Sequence, residues 1–301
     1  MAIEPVPQGT NWGRWGADDE RGALNHLDGE TVLAGTRACR AGKVYPLGLP
    51  IGRTGVPSVE YRGPAQRLTL INHTDEEMLE AFGGGGGVGS HEDMLIMGSH
   101  TATHMDALAH VYHGATMYNG FPFDGMSSFG GARHCGIDKA GPVATRGVLV
   151  DVAAAQGVDC LEPGHVISGE ELRAALDAQG TEPRRGDAVL IRTGWLERFY
   201  ATGQQMSFEQ PGLGLEAARL LADADVTIVG ADNTAVEAMP FDGGEFMVVH
   251  VELLSRRGIY LVEHLDLAQL ARDACREFLF VACPLPVTGA TASPVNPVAI
   301  G

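Results

Sequence analysis

Four of the chain's eleven histidines fall between positions 100 and 113, in the run GSHTATHMDALAHVYH. Imidazole nitrogens suit zinc, manganese, iron or nickel, and a carboxylate among them widens the choice toward harder ions, so His100, His104 and Asp106 form a credible ligand set. The spacing H-x3-H-x-D-x3-H, which ends at His110, must still be folded so that these groups converge. On one helix, at about 100° per residue, His100 and His104 would share a side while Asp106 and His110 lay nearly opposite. On one strand all four would share a face, yet spread over about 33 Å at roughly 3.3 Å per residue. The workable arrangement is a strand over 93–97 that delivers His100 into a turn, followed by a helix from near Thr103 that sets Asp106 and His110 one turn apart. Thr103-x-x-Asp106 has the form of a capping box, and a histidine beside a helix end is often only hydrogen-bonded structure. A purely structural zinc would be closed by four ligands including thiolates, and none is local, so the four residues together read as a site.

The elements that must carry this cluster follow an α/β pattern. A helix is expected from about Gly29 to Ala41 and a strand over Val44 to Leu49. From Arg146 the pattern is regular: RGVLVDVA reads as a buried strand, SGEELRAALDAQG as a helix capped by Ser168, and DAVLIRTG as another buried strand. LGLEAARLLADA (helix), DVTIVGAD (strand), HVELLSRRG (helix) and IYLVEHL (strand) repeat the alternation, and Phe278 to Cys283 adds an apolar strand. The reading is one mixed α/β domain over residues 1–301. The glycine run 83–89 is read as an exposed loop, with an active-site lid as the alternative. Trp12, Trp15, Phe82 and Tyr118 are candidates to line an aromatic pocket, although large aromatics near glycine-rich loops also serve as packing anchors. His113 is read as a hydrogen-bonded surface or supporting histidine, and Cys283 as a buried, inert thiol.

Composition narrows the partners. Of 301 residues, 45% are hydrophobic and 20% charged, which suits a folded core rather than disorder. Acidic residues outnumber basic ones 38 to 21, and a net charge of −17 repels phosphate backbones and anionic lipid heads. Neither nucleic acid nor a membrane is therefore an expected partner. The five cysteines are scattered, with no C-x-x-C pair, and fit a reducing cytoplasm. No apolar run is long enough to span a bilayer.

At GSHTATHMDALAHV the sequence resembles the "putative cyclase" family of metal-dependent hydrolases, which includes bacterial kynurenine formamidase and isatin hydrolase. Their signature is H-x-G-T-H-x-D-x-P-x-H. Here Ala102 stands at the glycine and Leu108 at the proline, while the four polar positions are kept. NWGRWG, MYNG, RGVLVDVA, GDAVLIRTGW, GADN and ATASPVNPVA extend the resemblance over most of the chain. It implies a swivelling β/β/α-type domain, assembled as a homodimer or homotetramer. It also implies that a distant histidine and glutamate, matched here by His250 and Glu263, join the metal site.

The function expected on that footing is hydrolysis of a small amide or cyclic amide by water activated on a divalent ion, zinc or manganese, with one or two ions per subunit. His100, His104 and Asp106 are the core ligands, and Asp106 can be shared with a second ion completed by His250 and Glu263. His110 is expected as general base toward water and general acid toward the leaving nitrogen, with a supporting role beside a ligand as its alternative. Lactone or ester hydrolysis, ring formation, and non-catalytic binding of a small molecule or metal stay open as rivals.

Overall fold

Apolar runs bounded by glycine and proline turns become the strands of one large sheet. In a computed structural model of the chain, residues 7–84, 88–203 and 208–301 are described. The strands are β1 (Val44–Pro46), β2 (Gln66–Ile71), β3 (Glu92–Ile96), β4 (His104–Asp106), β5 (Met126–Ser127), β6 (Gly131–Ala132), β7 (Val143–Asp151) and β8 (Val166–Ile167). They continue with β9 (Ala188–Arg192), β10 (Gly212–Leu213), β11 (Ile228–Ala231), β12 (Tyr260–Glu263), β13 (Glu277–Ala282), β14 (Ala292–Pro294) and β15 (Val298–Ile300). Nine of these form a sheet in the order β1-β15-β13-β7-β9-β11-β12-β4-β14.

The centre of that sheet, β7-β9-β11-β12, is parallel, and both flanks are antiparallel. Parallel strands are covered on both faces, which is why they read as unbroken apolar runs rather than alternating ones. Val148, Leu149, Val189, Leu190, Ile228 and Val229 are all fully buried. The helix Gly29–Ala38 packs on β7 and β13 so closely that a Cβ at Gly35 would meet the Thr145 backbone at 2.7 Å. The helix Gly169–Gln179 starts on the expected capping box between Ser168 and Glu171. Because β1 pairs with β15, residues 44 and 300 lie in the same sheet, and the chain folds as one mixed α/β unit. Among the described residues no helix is long and apolar enough to cross a membrane.

Two expectations are overturned. Residues from Thr103 form no helix: His104–Asp106 is a strand. It pairs with β12 on one side (Glu263 opposite His104) and with β14 on the other (Ala292 opposite Asp106). Thr103 caps nothing; its hydroxyl donates to the His264 carbonyl (2.6 Å) and accepts the Leu49 N–H (2.8 Å). Cys283 is exposed rather than buried, because β13 alternates in burial and Ala282 takes the last inward place.

β2 and β3 form a separate hairpin with the helix Glu76–Ala81 between them, and nearly all of its residues are exposed. Residues 85–87 of the glycine run lie outside the described residues, so the loop or lid reading is not addressed there.

Candidate metal centre

A strand of three residues puts its first and third side chains on one face, and here they are His104 and Asp106. Met105 points the other way, into the main core. The register of β4 against β12 then sets Glu263 beside His104, with His104 Nε2 3.1 Å from Glu263 Oε2. Turns at both ends of β4 fold the remaining histidines back over this face. Ala102, at a left-handed φ of 54°, brings round His100, and a turn closed by His110 N–H on the Ala107 carbonyl (3.0 Å) brings round His110. His100 Nε2 lies 3.3 Å from Asp106 Oδ1 and 3.1 Å from His110 Nδ1.

His250 arrives from a helical turn, Val248–His250, that runs directly into a π-helix, Val251–Arg257, a form often found at functional sites. Its Nε2 lies 3.5 Å from Glu263 Oε1 and 3.9 Å from Asp106 Oδ2. All six residues proposed from the sequence, His100, His104, Asp106, His110, His250 and Glu263, therefore meet in one place. Two three-residue groups have ligand atoms within 4.8 Å of one another, His100/Asp106/His110 and His104/Asp106/Glu263, and Asp106 belongs to both.

These donors fit a cation. The Nδ1–H of His104 donates to the Ala102 carbonyl (2.9 Å), which leaves the Nε2 lone pair facing two carboxylates. That Nε2 and both oxygens of Asp106 are buried with no hydrogen-bond partner. Unpaired polar atoms in a dry interior cost about 1–3 kcal/mol each, more when charged, unless something positive lies among them. Nitrogen and oxygen donors without sulfur suit zinc or manganese.

The charge balance tells the same story. Burial opposes the imidazolium of His250, but hydrogen bonds to Glu237 and Glu263 outweigh it and push the ring up to about 10. His104 is also raised, because Glu263 and Asp106 overcome its burial. Burial raises Asp106, whereas Glu263 falls well below the carboxylate range because the two histidines outweigh its burial. With no cation among them, these carboxylates draw protons onto the rings instead. At the partly open edge, burial and the neighbouring rings His110 and His104 depress His100 to about 2, and burial lowers His110, so both are neutral imidazoles at ordinary pH.

A family model described as "Putative cyclase" matches residues 45–238, more than half of the chain. The chain belongs to that family. The crystal structure of a novel cyclase shares 31% identity, covering 97% of this chain and 99% of the other, with a TM-score of 0.86. A predicted metal-dependent hydrolase from Bacillus stearothermophilus is 24% identical over 85% of this chain and 97% of its own (TM-score 0.53). An isatin hydrolase bound to the product analogue thioisatinate is 18% identical over 91% and 98% (TM-score 0.63). The last two likenesses concern the fold. No curated protein matches the chain.

The four aromatics proposed to line a pocket differ in their surroundings. Trp12 donates to the Ser255 carbonyl (2.8 Å), Tyr118 donates to Asp19 (2.9 Å), and Trp15 sets its ring edge-on to His26, so these three tie down the amino-terminal segment. Phe82 stands exposed at the end of the helix Glu76–Ala81, and His113 is exposed too.

Two participants escaped sequence reasoning. Glu237, fully buried, accepts the Nδ1–H of His250. His264 donates from Nδ1 to the same Ala102 carbonyl that holds His104 (3.2 Å). Burial chiefly, helped by His104, pulls His264 down to about 4 and keeps it neutral. The only sequence signal for Glu237 is one carboxylate inside the apolar run AVEAMP.

Proposed function

We propose that this cyclase-family chain is a metal-dependent hydrolase that cleaves a small amide or cyclic amide. The observation that carries this reading is the buried Asp106 carboxylate, neither oxygen of which has a hydrogen-bond partner, shared between two candidate ligand groups beside a neutral histidine at the open edge. His104, Asp106, Glu263 and His250 would hold zinc or manganese, with His100 at the rim, and the sharing of Asp106 allows one or two ions per subunit. When bound, such an ion supplies a Lewis acid that makes water acidic near neutral pH and draws negative charge from a carbonyl oxygen.

The chain's own residues do the rest. His110 is neutral, so an imidazole nitrogen accepts the proton of the attacking water and then delivers it to the leaving nitrogen, without which an amide leaves poorly. His100 braces that ring at 3.1 Å. His104 and His250 are held by their Nδ1–H groups, so each presents Nε2 to the carboxylates. The burial of His104, Asp106, His250 and Glu263 excludes water from the closed side.

The test is to load purified protein with zinc or manganese and to follow by mass the products from N-formylkynurenine, isatin, cyclic imides and simple lactones. Turnover of an amide or cyclic amide supports the proposal. Turnover confined to lactones, ring closure, or binding without turnover would replace it with the corresponding rival.

A further inference from the structure

The non-ligating nitrogen of His104 rests on a neutral carbonyl, and that of His250 rests on a carboxylate. We propose that Glu237 is a positioning residue for cation binding: its charge fixes the ring of His250 with Nε2 toward Asp106 and Glu263 and strengthens that nitrogen as a donor. This inference rests on the reading that the centre holds a divalent cation.

Three contacts tie the carboxylate to one short segment. Oε1 accepts both the ring Nδ1–H and the backbone N–H of His250 (the latter at 3.2 Å), and Oε2 accepts the N–H of Val249 (3.2 Å). With Nδ1 carrying the proton, Nε2 keeps its lone pair, the form a metal requires. Glu237 is fully buried, and among the described ion pairs its one charged partner is His250, with no lysine or arginine beside it. A buried carboxylate without a lysine or arginine partner is expensive to keep, so its place beside a ligand histidine calls for a purpose.

The backbone supplies a second, independent sign. Glu237 N–H closes a three-residue turn on the Ala235 carbonyl (2.5 Å), with Val236 at the centre at φ 61°. A β-branched residue in the left-handed region persists only where its surroundings impose it, and such strain gathers at functional sites. Here the Asn233 side chain imposes it, accepting the Val236 N–H (2.7 Å) while donating to the Pro211 carbonyl (2.7 Å). Against this turn lies Gly212, where a Cβ would strike the Glu237 carbonyl carbon at 2.3 Å. The strain is thus spent on aiming one carboxylate at one imidazole. Carboxylate-backed imidazoles are more basic ligands, and loss of such a partner lowers metal affinity by about 10–100-fold.

Glu237→Gln keeps one acceptor oxygen, for the two N–H groups of His250, and loses the one that faces Val249, so melting reads the capping role while zinc affinity reads the charge. The experiment compares the wild type, Glu237→Gln and Glu237→Ala by zinc competition against a chromophoric chelator, by thermal melting, and by 15N resonances of the histidine rings in the metal-free protein. The expected result is that Glu237→Gln melts below the wild type but above Glu237→Ala, binds zinc about 10–100-fold more weakly, and shifts the His250 Nδ1 resonance. Should Glu237→Ala fail to fold, Glu237→Gln decides alone. Wild-type zinc affinity and an unmoved His250 resonance in Glu237→Gln would overturn the inference while leaving the proposed function intact. Failure of the wild type itself to bind zinc or manganese would instead overturn the proposed function, and this inference with it.

Discussion

The two halves of the centre are built in opposite ways. The proximal half, His100, His104, Asp106 and His110, comes from eleven consecutive residues wrapped around β4 and is held by the backbone, through the Ala102 carbonyl and the ladder to β12 and β14. The distal half, His250 and Glu263, comes from two separate elements: Glu263 is set by that same ladder, whereas His250 is held by a side-chain carboxylate on a strained turn. A compact ligand run needs only a strand and two turns to converge. His250, brought in on a helical turn outside the sheet, has a dedicated carboxylate to aim it.

The largest effect should come from the residue that joins the halves. Asp106→Ala removes the donor common to both groups, so the bound cation should fall to background in elemental analysis and activity should go with it. The metal-free variant should melt no lower than the metal-free wild type, because a buried carboxylate with no hydrogen-bond partner has been removed. A marked fall in melting temperature would show that Asp106 is structural instead.

The halves can next be taken apart one at a time. His104→Ala should lose metal and activity together. His250→Ala leaves His104, Asp106 and Glu263 in place and should retain part of the bound metal, which elemental analysis would register as a lower stoichiometry. Equal losses in both variants would erase the distinction between a proximal and a distal half. His110→Ala, at the open edge, should keep its metal and lose at least ~100-fold in kcat. Near-normal turnover would reassign it to a supporting role.

The smallest effect concerns pH. His110 lies below its ordinary value of 6.5 because burial disfavours the imidazolium, and its working form is the neutral one. Activity should therefore persist as pH drops through 6.5 and fade only below it, a limb that His110→Ala should lack. A limb centred above 6.5 would contradict the assignment.

How much of this could be read from residues alone follows the same division. The parallel strands β7, β9, β11 and β12 were legible because burial on both faces leaves continuous apolar runs. The proximal cluster was legible as a set of candidate ligands from type and spacing, yet the element carrying it was not. A three-residue strand has no periodicity to detect, and Thr103-x-x-Asp106 imitates a helix cap. What makes it a strand is pairing with Glu263 and Ala292, far along the chain. His250 and Glu263 were named through family resemblance, since either alone passes for an ordinary helix-start histidine or a surface carboxylate. Glu237 had no such prompt, because its role depends on a turn at Val236 that an Asn233 side chain stabilises, and neither residue type announces it.

The account stands on a divalent cation held by His104, Asp106, Glu263 and His250. The direct measurement strips the purified protein with a chelator, titrates zinc or manganese back, and follows bound metal and amide or cyclic amide hydrolysis together, with Asp106→Ala in parallel. The account predicts that activity vanishes on stripping and returns as one or two ions bind per chain, with neither binding nor recovery in the variant. A stripped protein that works as well as the loaded one, or a wild type that takes up neither metal, would contradict it.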